Sequence, residues 1–123
     1  MPIPKKELSY LLDIYACCKN VIEFTRGIRY HQYSKDKMRK SAVERQLEIV
    51  GEASNRLSKS TQSELNHIPW SEIIGLRNMI AHEYDEVKHE KIWRISKKHI
   101  PALLRDLKKI KELKVYLKMQ EEE

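Results

Sequence analysis

Apolar residues return at steps of three and four along most of this chain, a period that admits helices and little else. Leu8, Leu11, Leu12, Tyr15, Cys18, Val21, Ile22 and Thr25 form one series, predicting a first helix from about residue 5 to residue 26. Gly27 and the polar run through Ser34 end it. Ser34 or Asp36 then caps a second helix carrying Met38, Ala42, Val43, Leu47, Val50, Ala53 and Leu57 inward. Residues 59–69 read as a connector, and Trp70-Ser71 opens a third helix with Ile73, Ile74, Leu76, Met79 and Ile80 facing the core. A break is expected over residues 83–87, and a fourth helix near Lys88 with Ile92, Trp93 and Ile95. Leu103, Leu104, Leu107, Ile110, Leu113 and Leu117 continue the spacing beyond Pro101, which either kinks this element or sits in the first turn of a fifth helix. With only 3 glycines and 34% charged residues, the expectation is an all-α, up-and-down bundle of four to five helices. Residues 1–120 are expected to form one domain, with the acidic residues 121–123 as a frayed end.

Gly51 interrupts the second helix at its middle, where glycine costs roughly 1 kcal/mol relative to alanine. Close approach of a neighbouring helix is the usual compensation, so tight packing is expected there. Cys17 and Cys18 are adjacent and without further cysteines, which argues for a reducing compartment and against a disulfide framework or structural zinc. Both fall on an apolar helix face and read as core. No apolar run approaches the length of a membrane span and the start shows no signal peptide, so a cytoplasmic setting is expected. The net charge of +6 and pI near 9.3 suit an anionic partner, although a lysine-rich solvated face explains them as well.

Gly75-Leu76-Arg77-Asn78-Met79-Ile80-Ala81-His82-Glu83-Tyr84 places an arginine, an asparagine, a histidine and a tyrosine at the end of an apolar helix. Arginine, four residues, then histidine occurs three times: Arg26 to His31, Arg77 to His82 and Arg94 to His99. The spacing alone therefore carries nothing. Gly27 interrupts the first pair, and the third lies just before Ile100-Pro101; only the second adds Asn78 and Tyr84. RNA brings its own nucleophile, the 2′-hydroxyl. Its cleavage needs a base, an acid for the leaving 5′-oxygen and a cation for the charge on phosphorus. His82 suits acid–base work near neutral pH, Arg77 suits a bidentate grip on phosphate, and Asn78 can orient the imidazole or contact the phosphate. One imidazole cannot readily serve as both acid and base, so a homodimer with two copies of the motif across one cleft is expected. The alternatives are a structural ion pair of Arg77 with Glu72, Glu83 or Asp85, and a purely structural helical adaptor. Metal catalysis is disfavoured, because His82-Glu83 lacks the second histidine at Glu86, and His89 lies seven residues away. No cofactor is expected.

The chain resembles HEPN-domain proteins, specifically the HepT-like toxins of HEPN/MNT toxin–antitoxin modules. The resemblance runs through Asp13 and Ile14, then from Ala42 to Ala53 with Gly51-Glu52-Ala53, then from Ile68 to Tyr84. Val87, Ile92, Trp93 and Ile100-Pro101-Ala102-Leu103 fit as well; Tyr33 stands where a phenylalanine would be expected. The resemblance implies an α-helical, metal-independent ribonuclease whose homodimer pairs Arg-polar-x-x-x-His motifs in a positive cleft. By that analogy Arg77 and His82 are catalytic, supported by Asn78. It also implies a nucleotidyltransferase antitoxin that transfers AMP onto the motif tyrosine, Tyr84. A non-catalytic HEPN module that docks a partner or holds a nucleotide is the competing reading.

Overall fold

The computed structural model describes the backbone of residues 3–82 and 85–122 and the side chains of residues 3–82 and 88–122. Among the described residues all regular structure is helical. Helix α1 (Lys5–Thr25) lies against α3 (Lys37–Asn55), and this pair makes the most extensive contact among the described residues. Leu11, Ile14, Cys18 and Val21 from α1 meet Val43, Leu47 and Val50 from α3 in the core, most with no exposed surface at all. Burying each such side chain contributes about 1.5–3 kcal/mol of transfer free energy. Chain direction reverses at Gly27, whose φ of 74° is the left-handed conformation that favours glycine. Asp36 caps α3 by accepting from the Arg39 backbone N–H at 3.0 Å, as the sequence suggested.

The connector expected around residues 31–34 is instead a short helix, α2 (Tyr30–Lys35). Its reason is aromatic: Tyr33 is fully buried, and its ring centroid lies 5.1 Å from that of Trp93. A second short helix, α4 (Lys59–Glu64), occupies half of the connector expected after α3. Ser58 starts it, accepting from the Thr61 N–H at 3.1 Å. The expected third helix divides at Gly75 into α5 (Trp70–Ile74) and α6 (Leu76–His82), both packed on α3.

Helix α7 (Asp85–Arg94) runs into a π-helical turn, Ile95–His99, and then α8 (Ile100–Lys108). Pro101 takes the second of its two expected places. It occupies the first turn of α8, and the widened turn before it lets the Ile100 N–H reach back to Ile95 O. The leucine series does not continue unbroken. Extended backbone at Ile110 separates α8 from α9 (Lys111–Glu121), which returns to the chain start, where the Ile3 N–H donates to Glu112 Oε2 at 2.9 Å. Among the described residues no helix is long and apolar enough to cross a membrane.

Candidate functional site

Helix α6 has two opposite characters. Leu76 and Ile80 are buried, while Arg77, Asn78 and His82 are exposed. Residues 78 and 82 are four apart, hence on one side of the helix, with 77 adjoining them. All three line a single open cleft of about 480 Å³, whose other walls are Gly51 and Asn55 of α3, Ile74 of α5 and Ala81.

Gly51 makes this arrangement possible. A Cβ built at that position would lie 3.3 Å from the Ile73 carbonyl oxygen and 3.5 Å from both the N and the Cβ of Arg77. The mid-helix glycine is thus where α3 meets the α5–α6 segment almost backbone to backbone, the close approach its position in the sequence called for. The crossing sets Arg77 directly over α3. There its Nε lies 4.0 Å from Glu52 Oε1, and Arg45 Nη1 lies 3.8 Å from the same oxygen.

A buried ion pair does not account for Arg77. Its side chain is 61% exposed, and the carboxylate beside it is Glu52 rather than Glu72. Glu72 lines a different, apolar cleft of about 440 Å³, which lies between α5–α6 and the π turn and α8. That cleft also receives His99, and Arg94 is not among its lining residues. Glu83, Tyr84 and the side chain of Asp85 lie outside the described residues, so Tyr84 has no structural placement here. The cysteines are core. Burial pushes the Cys17 thiol up to about 11 and the Cys18 thiol up to about 12.

Reasoning along the sequence did not single out Glu52, Arg45 and Asn55. Gly51 was the available signal: a helix that must admit a neighbour at 51 presents 52 and 55 to that neighbour's flank. Just beyond the site, Glu44 of α3 pairs with Lys88 (Nζ to Oε1 3.2 Å) and sits 3.8 Å from His89 Nδ1, which ties α7 to α3. Among the described residues, no three His, Cys, Asp or Glu side chains gather as a metal site.

Comparison with known proteins gives a consistent result. A family model described as "Ribonuclease HepT-like" matches residues 14–110, a stretch that contains the whole cleft. A protein of Methanocaldococcus jannaschii named "Putative RNase MJ1380" is 35% identical over 99 residues, covering 80% of this chain and 91% of its own. "Putative RNase TTE0752" of Caldanaerobacter subterraneus subsp. tengcongensis is 38% identical over 101 residues, covering 82% and 90%. "Probable ribonuclease HepT" of Thermococcus cleftensis is 34% identical over 103 residues, covering 84% and 94%. No solved structure gives a significant match. With the helical architecture and a family match over residues 14–110, the chain belongs to the HepT-like family of HEPN proteins.

Proposed function

We propose that this chain is a metal-independent endoribonuclease, the toxin of a toxin–antitoxin pair, with Arg77, Asn78 and His82 as its catalytic residues. One observation carries the reading: a guanidinium, a carboxamide and an imidazole face one solvent-open cleft. The ribonuclease names of the relatives support it.

The substrate supplies the nucleophile. A neutral His82 imidazole takes the proton of a ribose 2′-hydroxyl as the 2′-oxygen bonds to the adjacent phosphorus. The bond from phosphorus to the 5′-oxygen breaks, and that oxygen takes a proton from a second, protonated imidazole. The products are a 2′,3′-cyclic phosphate and a 5′-hydroxyl end. Arg77 neutralises the extra negative charge on phosphorus, which forms in the transition state and is where binding energy accelerates the reaction. Asn78, on the same side of α6 as His82, orients the imidazole or the phosphate. The second imidazole comes from a second copy of the chain, so the working unit is a homodimer with two α6 helices across one RNA path.

His82→Ala tests this directly. Purified wild type is expected to cut total RNA in the presence of a chelator. The variant is expected to lose about 10²-fold or more of the rate with its helical content and dimer mass unchanged. Equal cleavage by both proteins rejects the reading, as does wild-type cleavage that disappears on chelation. An intact fold with no wild-type cleavage favours the non-catalytic module.

The antitoxin in this reading is a nucleotidyltransferase of the MNT type. The Tyr84 phenolic oxygen attacks the α-phosphorus of ATP, loses its proton and releases pyrophosphate. Tyr84 follows His82 by two residues, so the added AMP places negative charge and bulk beside the RNA path. Intact-mass measurement after incubation with the partner and ATP is expected to show added AMP on wild type and none on Tyr84→Phe.

A further inference from the structure

Three residues of α3, Arg45, Glu48 and Glu52, stand at steps of three and four and therefore share one stripe of the helix. Their charges alternate with that of Arg77. Glu48 Oε2 lies 4.0 Å from Arg45 Nη1, which is 3.8 Å from Glu52 Oε1, which is 4.0 Å from Arg77 Nε. Glu52 stands between the two arginines and is more shielded than Arg77, with a side chain 32% exposed against 61%. It also follows Gly51, the point at which the Arg77 backbone is pressed onto α3.

The edge of the guanidinium in use matters. Glu52 Oε1 faces Nε at 4.0 Å, longer than a hydrogen bond, so this contact does not occupy the N–H donors that grip a phosphate. A carboxylate so close to a phosphate-binding arginine has a cost, because it competes with the incoming phosphate for the same cation. Here that competition is divided: the Oε1 that faces Arg77 also faces Arg45.

We propose that Glu52 is the positioning residue of Arg77, steadying its guanidinium from the Nε side, and that Arg45, by sharing the same carboxylate oxygen, weakens the competition of Glu52 with the incoming phosphate. The proposal rests on the ribonuclease reading above. It gives the two neighbours opposite kinetic signatures. Removing the charge of Glu52 disorders Arg77 in the transition state but also removes a competitor of the substrate. Removing Arg45 leaves Glu52 bound to Arg77 alone, which penalises substrate binding.

The test uses a short single-stranded RNA of mixed sequence with a fluorophore and a quencher at its ends. Glu52→Gln is expected to lower kcat about tenfold while KM stays unchanged or falls. Arg45→Gln is expected to raise KM several-fold, and the rise is expected to vanish in the Glu52→Gln, Arg45→Gln double variant. In an Arg77→Lys background, Glu52→Gln is expected to lose its effect, since coupled residues are not additive. A kcat within about twofold of wild type in Glu52→Gln overturns the proposal. So does an equal loss in the Arg77→Lys background, which marks a general structural role. Should Glu52→Gln fail to fold, as judged by melting and circular dichroism, the exposed Arg45→Gln decides alone: a raised KM supports the proposal and an unchanged KM overturns it. Wild type active, His82→Ala inactive and Glu52→Gln unchanged would reject only this positioning role. His82→Ala as active as wild type would reject the nuclease itself.

Discussion

Among the described residues Tyr33 is the largest fully buried side chain, yet its hydroxyl has no hydrogen-bond partner there. Burial raises the phenol well above its ordinary pKa, and the nearby Glu44 carboxylate pushes in the same direction. What holds the residue is its ring, packed against Trp93 and Tyr30. A buried hydroxyl without a partner forfeits its hydration for no return. Tyr33→Phe is accordingly expected to stabilise the fold by about 1 kcal/mol, read as a higher denaturant midpoint with an unchanged slope. The resemblance to HEPN proteins implies phenylalanine at this position, and the packing supplies a reason.

At the level of whole helices, several starts and joins are held by ionised carboxylates. Asp36 caps α3, and the Arg39 N–H and guanidinium lower its pKa. Glu112 of α9 is lowered by the Ile3 N–H. For Glu7 of α1, burial acts upward, but hydrogen bonds from Ser58 and Thr61 outweigh it and the net shift is downward. A depressed folded pKa adds stability above the unfolded carboxylate range and loses it as pH falls through the folded value. The melting temperature is therefore expected to be flat across neutral pH and to fall on the acid side of the carboxylate range. Glu112→Gln should flatten part of that fall. The long helices α1 and α3 were legible in the sequence because each repeats its apolar spacing over several turns. Helices α2 and α4 were not, since six residues hold too few apolar positions to show a period. The breaks at Gly75 and Ile110 escaped for a related reason: side-chain spacing continues across a join that only the backbone marks. That Arg77, Asn78 and His82 share one side could be read because all three lie within a single helix. Glu52, Arg45 and Asn55 could not, because their proximity to Arg77 depends on how two helices cross.

In the molecule as a whole, α3 is the shared spine. It receives α1 on one side and the α5–α6 segment on another, and Gly51 is the point where that segment sits closest. A side chain at this point brings its Cβ within 3.3 Å of the Ile73 carbonyl oxygen, so the facing backbone must shift. Gly51→Val is expected to lower stability by about 1–3 kcal/mol and to reduce RNA cleavage more than Glu52→Gln does, because it displaces the backbone that carries Arg77. Chemical denaturation and the fluorogenic RNA assay measure the two effects separately. With α3 and the α5–α6 segment in such close approach at residue 51, backbone as well as side chains sets the spacing of the Asn55 and Arg77 walls. A side chain added at residue 51 therefore acts on the width of the groove, whereas exchanges at its exposed lining positions act on its chemistry.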